Sequence, residues 1–174
     1  MNGMLKKFLP DEFVKDIFHI KAEQLKERGI KGIITDLDNT LVAWDRPDAT
    51  PEVIEWLEGM QQAGIRVTIV SNNNELRVKA FSEPIQMPFI SKANKPLGTA
   101  FRRAVKLMGT KKEETVVIGD QLLTDIFGGN RQGLHTILVI PVATSDAKVT
   151  TFNRNLESFI MERLRRRGLI YWEE

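Results

Sequence analysis

Gly32-Ile33-Ile34-Thr35-Asp36-Leu37-Asp38-Asn39-Thr40-Leu41 is the stretch on which the reading of this chain turns. Ile33, Ile34 and Thr35 are β-branched, so the run predicts a short buried strand. It stops abruptly at two carboxylates. In an extended chain residues i and i+2 point to one face, so Asp36 and Asp38 stand side by side at a strand end. Like charges so placed repel unless a cation lies between them or one is protonated. The pattern therefore points to metal binding or to chemistry, with a plain turn as the alternative, since Asp and Asn are common turn residues. A calcium loop of the EF-hand type is excluded. It needs Gly at its sixth position and Glu at its twelfth, and those positions hold Leu41 and Pro47.

Working outward, Phe13, Val14, Ile17, Phe18, Ile20 and Leu25 fall near helical spacing, which predicts a helix over 10–28 that stops at Gly29. Downstream, Thr50-Pro51-Glu52 opens a helix with a capping residue and proline at N1. Further strands are predicted at 66–70, at 87–90 (weakened by Pro84 and Pro88), at 115–118 and at 135–140, with helices at 75–81, 98–108 and 122–132 between them. Strands alternating with helices imply an α/β fold, a mostly parallel five-stranded sheet covered on both faces. In such sheets ligands lie outside the carboxyl ends of the strands. Asp36, Asp38, Ser71 and Asp120 all follow a strand directly, on that one edge.

The composition is that of an ordinary globular protein. Of 174 residues, 42% are apolar and 28% charged, enough for one domain with a core of its own. There is no cysteine, and there are only two histidines, His19 and His135, so thiolate and zinc sites are disfavoured and any metal is held by oxygen. Magnesium suits such a site. A net charge of +2 gives no argument for nucleic acid. No apolar run approaches a membrane span, so the expectation is a cytoplasmic protein.

Asp36, Asp38, Asp120, Asp125, Lys95 and Ser71 together could hold Mg²⁺ and receive a phosphate-like oxyanion. An ionised aspartate can attack phosphorus and divide one hard hydrolysis into two easier displacements. Each residue also has a plainer role open to it. Lys95 could be a solvated lysine, Ser71 a helix cap and Asp125 a charge favoured by a helix dipole.

Four pieces in order, Asp36-Leu-Asp38-Asn-Thr40, Val70-Ser71-Asn72, Lys95-Pro96 and Gly119-Asp120-Gln-Leu-Leu-Thr-Asp125, resemble the motifs of the haloacid-dehalogenase-like (HAD) superfamily of phosphatases over roughly residues 29–141. The resemblance implies a three-layer α/β/α Rossmann-like fold. It also implies Asp36 as nucleophile and Asp38 as the acid that protonates the leaving oxygen. Ser71 and Asn72 would bind the phosphoryl group, and Lys95 would neutralise its charge. Asp36, the Asp38 carbonyl and Asp120 would hold Mg²⁺, with Asp125 a ligand through water or a partner of Lys95.

The intervals between these motifs leave no room for an inserted lid, so the expectation is a capless, subclass IIIA enzyme with an open site. The phrase Asp-Leu-Asp-Asn-Thr-Leu, with Gly-Asp-Gln-x-x-Thr-Asp and Leu9-Pro10, is similar to the phosphatidylglycerophosphate phosphatase family. That likeness implies a phospholipid head group as substrate; a phosphatase of small nucleotide or sugar phosphates, and a non-catalytic binding protein, stay open beside it. A C-terminal helix over 152–168 carries Leu156, Phe159, Ile160 and Leu164 at helical spacing beside Arg163, Arg165, Arg166 and Arg167, with Tyr171 and Trp172 after it. Such a segment could lie on the inner face of an anionic membrane, or pack on the domain with its arginines in water.

Overall fold

Six parallel strands in the order β1-β6-β5-β2-β3-β4 form the sheet of the computed structural model, which describes residues 2–143 and 151–170. They are β1 (Glu12–Val14), β2 (Gly32–Thr35), β3 (Arg66–Val70), β4 (Phe89–Ile90), β5 (Thr115–Gly119) and β6 (His135–Val139). The helices are α1 (Asn2–Lys6), α2 (Ala22–Glu27), α3 (Pro51–Gln62), α4 (Glu75–Ser82), α5 (Thr99–Met108), α6 (Gly128–Arg131) and α7 (Thr151–Arg166). The α/β architecture and the parallel sheet are as the sequence predicts.

Alternation along each central strand divides the interior in two. Ile33, Val67, Ile69, Val116 and Ile118 face one way, onto Leu25 of α2, Val53, Leu57 and Met60 of α3, and Val78 and Phe81 of α4. Ile34, Val70 and Val117 face the other way, onto Ala100, Phe101, Ala104 and Met108 of α5. This double burial is why the strands read as unbroken apolar runs. At roughly 25 cal/mol per Å² of apolar surface, the two layers are the main favourable contribution to folding.

The N-terminal segment departs from expectation. In place of one helix over 10–28 there is a sixth strand, β1, then a 3₁₀ turn at Ile17–His19 and the short helix α2. Its register is fixed from a distance: Asp11 N–H donates to the Thr136 carbonyl at 3.0 Å, and Thr136 N–H donates to Asp11 Oδ2 at 2.8 Å. Pairing with β6 therefore overrides a local spacing that suits a helix.

The chain starts at the outer strand β1, crosses to the central β2, runs outward through β3 to β4, then returns to β5 on the other side of β2 and ends the sheet with β6, which fills the place between β5 and β1. The reversal lies between β2 and β5, which pair with Thr35 opposite Ile118. A crevice opens at such a reversal beyond the strand ends.

Candidate active site

Asp36 follows β2 and Asp120 follows β5, so the two neighbouring central strands deliver their acids to one place. Asp36 N–H still donates to the Ile118 carbonyl at 3.0 Å, which holds the start of the loop to the sheet. The chain then turns through Asn39, which adopts a left-handed φ of 62°. That turn brings the Thr40 hydroxyl within 2.9 Å of Asp120 Oδ1 and 3.5 Å of Asp36 Oδ2. Thr40 thus joins the two strand ends.

Asp125 arrives by a different route. Leu122–Phe127 forms a π-helical turn, with Ile126 N–H reaching back to the Gln121 carbonyl at 3.2 Å. Such turns are rare and recur at functional sites. The wider coil tucks Asp125 under the end of β5 until its carboxylate touches Gly119. A Cβ placed on Gly119 would lie 2.3 Å from Asp125 Cγ, so only glycine fits there.

Oxygens of Asp36, Asp120 and Asp125 lie within 4.8 Å of one another. Lys95, on the loop between β4 and α5, enters from the side. Its Nζ donates to Asp125 Oδ1 at 2.7 Å, Val70 O at 2.8 Å and Asp36 Oδ1 at 3.0 Å. All three ammonium protons are used, which removes the reading of a solvated lysine.

Burial works against the charge on Lys95, but the Asp125 and Asp36 carboxylates outweigh it and raise its pKa. Burial also pushes Asp125 up to about 6, with Lys95 pulling the other way. Asp120 is driven well above the usual carboxylate range by burial and by Asp36 and Asp125. Three carboxylates against one ammonium leave two uncompensated negative charges. A divalent cation with hard-oxygen preference fits that deficit and that donor set.

Asp38 lies apart from this cluster of acids and meets a guanidinium instead. Arg77 of α4 donates to Asp38 Oδ1 through Nε at 3.2 Å and Nη2 at 3.1 Å, while Asn73 Nδ2 donates to Oδ2 at 2.9 Å. Arg77 is itself held by the Pro47 carbonyl at 3.2 Å. Neither Arg77 nor Asn73 is singled out by the sequence, because nothing local marks an arginine 39 positions from its acid.

Ser71 is buried, and its Oγ accepts from Asn73 N–H at 3.1 Å, while Asn74 caps α4 by accepting from Arg77 N–H. Asn72 grips the backbone of Lys95 from both sides: its Oδ1 accepts from Lys95 N–H at 2.7 Å and its Nδ2 donates to the Lys95 carbonyl at 3.0 Å. Neither histidine comes near. His19 pairs with Asp16, and His135 with Glu12 at the opposite end of the sheet.

Residues 92–165 match the family model described as HAD-hydrolase-like. The chain is also 69% identical to probable phosphatase YqeG of Bacillus subtilis, over 98% of its own length and all of that protein's. It belongs to the haloacid-dehalogenase-like phosphatases. Within that superfamily the enzyme is 31% identical to phosphatidylglycerophosphate phosphatase 1 of Arabidopsis thaliana, over 92% of this chain but only 49% of that longer protein. Two solved structures share the fold at low identity. The octulosonate 8-phosphate phosphatase of Haemophilus influenzae superposes with a TM-score of 0.52 at 15% identity, covering 84% of this phosphatase and 96% of that chain. A subfamily IIIA hydrolase from Legionella pneumophila gives 0.50 at 17%, covering 87% and 94%.

The C-terminal helix of the phosphatase packs on the domain. Ile160 and Leu164 of α7 are buried against Leu122, Ile126 and Leu138, while Phe159 on the same helix is 56% exposed. Arg163, Arg165 and Arg166 of α7, and Arg167 just after it, are exposed. Tyr171 and Trp172 lie outside the described residues. Among the described residues no helix is long and apolar enough to cross a membrane.

Proposed function

We propose that this phosphatase is a Mg²⁺-dependent phosphomonoesterase that acts through an aspartyl-phosphate on Asp36 and removes the terminal phosphate of phosphatidylglycerophosphate. The observation that carries the catalytic part is the convergence of Asp36, Asp120 and Asp125, two of which, Asp36 and Asp125, pair with one buried lysine. Asp36, the Asp38 backbone carbonyl and Asp120 would hold the ion, with Asp125 serving as partner of Lys95. When bound, the ion neutralises the excess charge of the acids and polarises the phosphoryl oxygens.

The chain's own residues then divide the work. An Asp36 oxygen forms a bond to phosphorus as the bond from phosphorus to the alcohol oxygen breaks, and Asp38 gives that oxygen its proton. Asp38 next takes a proton from water as the water attacks phosphorus, the bond to Asp36 breaks, and phosphate departs. Lys95 steadies Asp36 and the charge that builds on the phosphoryl oxygens. Ser71 hydrogen-bonds the phosphoryl group. Asn72 acts on Lys95, fixing its backbone, and Arg77 and Asn73 aim the Asp38 carboxylate.

The lipid substrate draws its support from the likeness to the plant enzyme across almost all of this chain. The short connection between β2 and β3, a loop and α3 alone, agrees with it, because nothing inserted there encloses a small metabolite. The arginines of α7 supply positive charge for an anionic membrane surface at the inner face, through electrostatics and not through insertion.

The test is phosphate release from phosphatidylglycerophosphate in detergent micelles and from a panel of nucleotide and sugar phosphates, with wild type and Asp36→Asn, with and without Mg²⁺. Release from the lipid that needs both Mg²⁺ and Asp36 is expected. Turnover confined to small esters would move the substrate to the second class, and an Asp36→Asn protein with full activity would end the covalent mechanism.

A further inference from the structure

Beside the acid cluster, on the side of β6, lies a cavity of about 330 Å³ between the sheet edge and α7. Asp120 forms part of its wall, so the cavity and the cluster of acids share a residue. Apart from Asp120 and Glu157 its lining is apolar, built chiefly from Phe13, Leu122, Leu138, Ile140 and Met161. The apolar surface continues outward. Ile140 is 41% exposed and Val142, two residues on, is 54% exposed.

Each feature has a physical cost that the known phosphatase activity leaves unexplained. A hollow lined by aliphatic side chains holds water poorly, and large apolar residues left in solvent gain nothing from folding. The gradient is ordered: carboxylates that suit a cation and a phosphate at one end, then aliphatic walls, then an apolar rim.

We infer that this cavity is a subsite for the alkyl part of an amphiphilic phosphomonoester, seated alongside the acids that handle its phosphate. The inference rests on the reading of Asp36 and Asp120 as parts of the reaction site. It goes further in naming the walls that recognise the organic half of the substrate and in assigning a role to β1, the far end of β6 and α7. Apolar walls in contact with an anion site match the two chemical halves of such an ester, and the volume is within the range of small-molecule pockets.

A series of monoalkyl phosphates from ethyl to octyl, each kept below its micelle concentration, tests this. Burial of a methylene contributes about 0.8 kcal/mol, a factor of about four. Wild type is therefore expected to show kcat/KM rising severalfold with each added methylene until the cavity is filled. Met161→Trp, which narrows it, should flatten that rise, costing octyl phosphate more than ethyl phosphate. Ile140→Asn, at an exposed position that tolerates substitution, should reduce the slope without affecting folding.

Equal kcat/KM across the series in wild type, or a Met161→Trp loss shared equally by ethyl and octyl phosphate in a protein of unchanged Tm, overturns the subsite. A separate arm keeps the two readings apart. Binding of the same alkyl phosphates to Asp36→Asn in Mg²⁺, followed calorimetrically, should tighten with chain length. If no ester is turned over at all, the catalytic reading fails on its own, and the binding series still decides whether the cavity takes alkyl chains.

Discussion

Lys95 Nζ lies 2.7 Å from Asp125 Oδ1, with only 3% and 1% of the two side chains open to solvent. An ion pair so buried gives little net stability over a well-packed apolar pair, yet breaking it from one side is costly, about 3–5 kcal/mol, because a bare charge is left behind. Lys95→Met strands both Asp125 and Asp36 and should cost that much in urea unfolding. Asp125→Asn leaves Lys95 with Asp36 and the Val70 carbonyl, and should cost less. The double variant should fall well short of the sum. Additive losses would show that the two groups do not act as a unit.

Crowding of acids makes a prediction about the metal that needs no turnover assay. Mg²⁺ at about a hundred times its dissociation constant should stabilise the folded state by about 2.7 kcal/mol, read as a rise in Tm. Asp120 is pushed well above the usual carboxylate range by burial and by its neighbours, so its charged form opposes folding near neutrality. Asp120→Asn should therefore raise the Tm of the metal-free protein and abolish the Mg²⁺-dependent increment. A variant that kept the full increment would remove Asp120 from the ligand set.

Arg77 offers a test of positioning. It holds Asp38 by two N–H groups, and Arg77→Ala frees the carboxylate to swing. We expect kcat to fall 10- to 100-fold with little change in KM. The loss should be greater for esters with poor leaving groups, which depend most on protonation, than for aryl phosphates. Arg77→Lys should recover part of it. A uniform loss across leaving groups would point to misfolding of the loop.

Much of this site is legible in the sequence because its acids sit at the ends of strands, and strand ends are what apolar runs mark. Asp36, Asp120 and Lys95 need no knowledge of distant pairing beyond a parallel sheet. What escapes is whatever depends on contacts far along the chain. β1 exists because Asp11 and Thr136 find each other across 125 positions, while its own residues have helical spacing. The partner of Asp38 is a guanidinium on α4, 39 positions along the chain, and not the neighbouring acid. The π-helical turn at 122–127 likewise cannot be told from an α-helix by periodicity. Its one sequence trace is Gly119, where Asp125 leaves no space for a Cβ.

Glu157 of α7 accepts from Leu123 N–H at 3.2 Å, tying the last helix to the π-helical turn. Burial pushes its pKa up to about 7 from an ordinary 4.5, the Leu123 N–H pulling it down and Asp125 pushing it further up. Between those two values the folded protein keeps a proton that the unfolded chain gives up. Stability therefore falls as pH rises from about 4.5 through 7 and levels off above, by an amount on the order of 3 kcal/mol. Relative to wild type, Glu157→Gln should gain stability as pH is raised from 5 to 8, measured by urea unfolding at constant Mg²⁺. A constant difference across that range would mean that Glu157 ionises in the folded protein as it does in water.

The two outer strands of the sheet are the shortest ones, three residues in β1 and two in β4, the latter entered directly from Pro88. A lateral rim so brief, with an imino acid at its approach, presents few unsatisfied amides for a foreign strand to zip onto. Edge-to-edge polymerisation through backbone ladders is thereby discouraged at both margins, even though the interior strands are rich in the β-branched residues that such polymers favour.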